Sequence, residues 1–108
     1  MIYLHIFETR IHAMNAFKHL KNQSSRDPYI QTRQVDLSIS DNFHNIKHVF
    51  MSRFDVENGM ARGMKLERVF LNCYIDKDTV GSVLLPAMYD ATDKRRFEFD
   101  RSRNKYKK

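Results

Sequence analysis

The chain has 108 residues and a formal charge of +6, from 19 Lys+Arg against 13 Asp+Glu. A hydrophobic content of 42% with 12% aromatics excludes a disordered polar chain and fits one globular domain. The single cysteine, Cys73, excludes an internal disulfide and a multi-cysteine zinc module.

Residues 2–7 are β-branched, aromatic and aliphatic and predict a short strand. From Glu8 the period changes. Ile11, Met14, Phe17 and Leu20 recur at helical spacing and predict a helix over 8–22, with Thr9 as a candidate cap. Residues 22–28 form a polar connector ended by Pro28. Val35, Leu37 and Ile39 alternate with Asp36, Ser38 and Ser40, the pattern of a half-buried strand over 35–40. Asp41-Asn42 makes a turn, and residues 46–54 predict the second arm of a hairpin.

Residues 55–65 contain Gly59 and Gly63 and read as a loop or a short irregular helix. The run 69–75 is the most apolar in the chain and predicts a buried central strand. Asp76 or Asp78 is placed to cap a helix over 76–88, which Pro86 kinks or ends. Residues 96–100 alternate again and predict a last strand, and 101–108 have little to pack. The expected fold is therefore α/β: a single domain over 1–100 with β-α-β-β-β-α-β order, helices on a mixed or parallel sheet, and a basic tail.

The charge is unevenly placed. Residues 1–93 carry 11 basic and 11 acidic side chains. Residues 94–108 carry eight basic ones, Lys94, Arg95, Arg96, Arg101, Arg103, Lys105, Lys107 and Lys108, and two acidic ones, Glu98 and Asp100. Cations at that density release counterions from phosphate backbones, which favours nucleic acid without sequence preference. Phe97, Phe99 and Tyr106 lie among them; the two phenylalanines share one strand face and suit the core better than base stacking.

The stretch Ala61-Arg62-Gly63 through Val69-Phe70-Leu71-Asn72 resembles the Walker B half of P-loop ATPases of the helicase and phage-terminase kind, and the likeness extends over 61–99. In that family an Arg-Gly turn leads into a buried strand ending in an acid that handles magnesium. Here the strand ends in Asn72, a poor ligand for Mg²⁺, and no Gly-rich loop ends in Gly-Lys-Ser/Thr. The resemblance thus implies a degenerate relative that keeps the scaffold without the ATPase, of the size of a phage or mobile-element accessory protein.

Other chemistry-bearing groups have local explanations. His44 and His48 stand four apart in an extended segment, and His12 and His19 lie on the first helix. No third or fourth zinc ligand accompanies them. Asp76 and Asp78 follow the central strand, where a metal-dependent hydrolase would gather carboxylates, and they equally suit helix capping. Cys73 in an apolar strand is expected to be an inert thiol. Met60, Arg62 and Met64 make the glycine-flanked loop a candidate contact for a protein partner.

No apolar run approaches the ~20 residues of a membrane span, and no leader peptide is apparent. The sequence therefore predicts a cytoplasmic, non-enzymatic protein without cofactor or metal. It is expected to bind nucleic acid through its basic end, or alternatively to act as an inhibitor or assembly factor on a host or viral protein.

Overall fold

The computed structural model describes residues 1–87 and 97–99. Six strands, β1 (Ile2–Phe7), β2 (Ile30–Arg33), β3 (Ser38–Asp41), β4 (Ile46–Ser52), β5 (Leu66–Leu71) and β6 (Phe97–Phe99), form one sheet in the order β2-β3-β4-β1-β5-β6. β1 runs parallel to β4 and β5, and β5 to β6; β2, β3 and β4 pair antiparallel. The sheet is mixed and the class is α/β.

Register assigns the two faces. Leu4 sits opposite Val49 and Val69, and Ile6 opposite Met51 and Leu71. This face packs on Val56, Ala61, Val83, Leu84 and Ala87, all buried. On the other face Phe7, Ile39 and Phe50 meet the first helix, α1 (Arg10–Gln23), through Ala13 and Phe17. α1 begins where the Thr9 hydroxyl accepts the His12 amide at 3.2 Å. Its buried stripe is Ala13 and Phe17, with Met14, Ala16 and Leu20 half-buried. Burying Phe17 completely is worth about 1.5–3 kcal/mol. Ile11, read as part of that stripe, is 71% exposed, because it lies about 160° round the helix from Ala13, on the opposite face.

A second helix, α2 (Arg53–Glu57), starts on the buried Ser52, whose hydroxyl accepts the Asp55 amide at 3.1 Å. α2 packs on the face opposite α1, through Val56. The chain thus leaves β1 over one face to reach β4, and leaves β4 over the other to reach β5. The segments leaving the neighbouring strands β1 and β5 pack on opposite faces, so their C-terminal ends form the switch point where open α/β sheets place ligands.

Four expectations change. Residues 34–37 are a turn rather than strand: Val35 is 86% exposed and Leu37 has φ 48°. The alternation there reflects Leu37 and Ile39 entering the core around a bend. β2 was not expected, because Ile-Gln-Thr-Arg at a sheet edge buries almost nothing. The central strand is 66–71 rather than 69–75: Asn72 still donates its amide to Ile6 O at 2.9 Å, and Cys73 and Ile75 stay buried after the ladder ends. The predicted helix over 76–88 is broken into α3 (Lys77–Thr79), a π turn (Val80–Leu84) and α4 (Leu85–Ala87). Met88, Arg96 and Asp100 lie outside the described residues.

Candidate functional site

The loop over 58–65 is closed by its glycines. Gly59 and Gly63 have φ of 83° and 82°, left-handed values that cost other residues strain. Between them Ala61 is fully buried and pins the loop to the core. Of Met60, Arg62 and Met64, the cleft described below names Arg62 and Met64 in its lining and not Met60. Met60 and Arg62 are exposed, whereas Met64 is half-buried against the core.

Facing this loop is the broken helical segment. Asp76 caps it, its carboxylate accepting the Thr79 amide at 2.7 Å. That hydrogen bond holds the Asp76 carboxyl below the usual carboxylate range. The Leu85 amide reaches back five residues to Val80 O, which defines the π turn. Pro86 has no N–H, so the carbonyl four residues earlier, Ser82 O, lacks the donor that an α-helix supplies at i+4. Arg62 supplies one: its Nη1 donates to Ser82 O over a long 3.5 Å. The loop and the turn enclose a cleft of about 510 Å³ lined by Arg62, Gly63, Met64, Lys65, Ser82, Val83, Pro86 and Ala87. Among the described residues its walls hold two cations and no carboxylate.

Sequence reading reached Arg62 and Met64 and missed Lys65, Ser82 and Pro86. The available signal was Pro86 itself, since a proline in a helix names the carbonyl it orphans.

The switch point is polar at its surface and closed beneath. Arg53 bridges Glu8 at 3.1 Å and Glu57 at 3.9 Å, and Arg10 reaches Asp55 at 3.7 Å. Below them Asn72 is fully buried with neither amide atom hydrogen-bonded. Cys73 beside it is fully buried, and burial pushes its thiol up to about 12, which makes it inert at neutral pH. Asp76 is spent as a cap and Asp78 lies exposed in the first turn of α3.

The histidines pair differently from their spacing. His44 Nδ1 binds Asp41 Oδ2 at 2.7 Å in the β3–β4 turn, and that contact lowers the Asp41 pKa. His48 instead meets His5 of β1. His12 closes on Thr9 at 2.9 Å and His19 is exposed. Among the described residues, no three His, Cys, Asp or Glu side chains are grouped to hold a metal ion. No helix among them is long and apolar enough to cross a membrane.

The eight basic residues of 94–108 fall outside the described residues. The strand inside that stretch, β6, is described and is joined in parallel to β5, with Phe97 opposite Val69 and Phe99 opposite Leu71. Comparison of the chain with protein families, with curated proteins and with solved structures finds no match.

Proposed function

We propose that the chain is a non-enzymatic nucleic-acid-binding protein, in which a charge-neutral α/β domain carries a cationic end. The observation that supports this most is the partition of charge: residues 1–93 are balanced, and the whole excess of +6 lies in 94–108. β6 ties that stretch to the sheet edge, with Lys94, Arg95 and Arg96 before it in the chain and five basic residues after it. A patch anchored to a rigid element loses less entropy on binding phosphates than a free chain does.

What supports the likeness to a degenerate P-loop scaffold is that β5 follows the Arg62-Gly63 turn and that the buried Asn72 comes directly after it. On that reading the amide occupies the place of a magnesium-handling acid, and the chain acts by binding.

The decisive experiment is a salt-dependent titration of single- and double-stranded oligonucleotides with the full chain and with a chain ending at Asp100. Five phosphate contacts give a log–log salt slope of roughly −4 to −5 on duplex DNA. Loss of binding and of slope in the shortened chain is expected, and unchanged affinity overturns the reading.

A second reading, a module that docks on another protein, is favoured by one observation: the cleft between residues 62–65 and 82–87.

A further inference from the structure

We propose that this cleft holds an acidic segment of a partner protein, one with an aliphatic side chain next to a carboxylate. The inference rests on the second reading above and names the chemistry of its partner.

The charge of the described walls points to an anion. Arg62 and Lys65 are both exposed side chains, and among the described residues no carboxylate lines the cleft. An Arg guanidinium has five donors in a planar fork that matches a carboxylate. One of them here is turned to Ser82 O at 3.5 Å. Pro86 supplies no i+4 amide to that carbonyl, and the long contact draws the Arg62 side chain toward the cleft wall. A restrained cation loses less conformational entropy on binding than a free one.

The remaining wall points to an apolar neighbour of that anion. Met64, Val83, Pro86 and Ala87 line it, and Met64 is unbranched and adapts to irregular shapes. The volume of about 510 Å³ falls within the ~300–1,000 Å³ of sites that take small apolar bodies with a few polar groups. A polynucleotide fits less well. Its phosphates need cations spaced along a track, and its bases need aromatic faces, whereas the cleft has two cations against an aliphatic wall. A peptide bearing both a carboxylate and an aliphatic side chain satisfies both halves.

The test uses the full chain and two fluorescein-labelled peptides, one alternating Glu with Leu and one alternating Gln with Leu, read by anisotropy. The Glu/Leu peptide is expected to bind about tenfold or more tightly than the Gln/Leu peptide. The double variant Arg62→Glu, Lys65→Glu is expected to weaken the Glu/Leu peptide by more than about tenfold with its thermal unfolding unchanged. Should that variant not fold, Arg62→Gln with Lys65→Ala gives the same comparison with a smaller loss. A chain with Arg101, Arg103, Lys105, Lys107 and Lys108 all changed to Gln is expected to keep its affinity for the peptide. Equal binding of the two peptides, or peptide binding that follows the tail substitutions rather than the cleft ones, overturns the proposal. So does loss of oligo(dT) binding in the cleft variant, which would assign the cleft to nucleic acid. The nucleic-acid reading fails on a different result, namely oligonucleotide binding that survives the tail substitutions.

Discussion

His5 Nε2 lies 2.9 Å from His48 Nδ1, across strands β1 and β4. One ring donates and the other accepts, so at least one of the two is neutral in the folded chain. Phe50 and Phe70 stack on either side of His5, each at 4.8 Å, and Tyr3 packs edge-on against His48 at 5.5 Å. Burial pushes the His48 pKa below its ordinary 6.5, and the charge of Asp41 opposes the shift more weakly.

This arrangement predicts acid sensitivity. The folded state holds His48 neutral, while the unfolded chain takes up a proton at about pH 6.5. Stability from this site is full above that pH and is lost as pH falls through the lower folded value. Denaturant unfolding at about pH 7.5 and about pH 5 is expected to show a drop that shrinks in His48→Phe. An identical drop in the variant would remove His48 as the cause.

Asn72 predicts a gain. A buried amide with no hydrogen-bond partner carries a desolvation penalty of about 1–3 kcal/mol. Asn72→Leu, which keeps the branching and the number of side-chain heavy atoms, is expected to raise the unfolding free energy by about 1 kcal/mol. Asn72→Asp is expected to lower it, because the same pocket must then bury a carboxyl. Destabilisation by the leucine variant would show that the amide has a role in the folded state that its surroundings do not reveal.

The backbone of the cleft loop can be probed at Gly59. Its φ of 83° costs an L-residue about 1–2 kcal/mol, and a Cβ there would lie 2.9 Å from Arg62 Nε. Gly59→Ala is expected to destabilise the chain by about 1 kcal/mol and to displace the Arg62 side chain, weakening the acidic peptide as well. Unchanged stability together with unchanged peptide affinity would contradict the loop geometry.

Ser52 anchors α2 from within the core, where its hydroxyl takes the Asp55 amide at 3.1 Å. Ser52→Ala is expected to cost about 1 kcal/mol, measured by denaturant unfolding. Ser52→Thr and Ser52→Asn separate cap chemistry from packing, since both can cap but each adds bulk at a buried position. A neutral alanine variant would mean that Val56 alone holds the helix.

Much of the domain is written in local chemistry. The β1 run 2–7, the stripe of α1, the turn at Asp41 and the buried run after Arg62-Gly63 follow from side-chain periodicity, caps and turn residues. These signals act over a few residues, so they survive without tertiary context. They mislead where burial is not a strand face: Leu37 is buried in the turn before β3, and Cys73 and Ile75 are buried beyond the end of β5. They are silent at β2, which lies at the sheet edge and leaves three of its four residues exposed.

By itself the sequence determined the α/β class, the position of the first helix and the concentration of positive charge after residue 93. Each depends on neighbours in the chain. Tertiary structure decided the pairing of β1 with both β4 and β5, which makes the sheet mixed. It alone set His5 against His48, 43 residues away, and Arg62 against Ser82, 20 residues away. These contacts arise from strand register and from a carbonyl that Pro86 deprives of its i+4 amide. Their partners come together only when the sheet closes, so no spacing along the chain marks them.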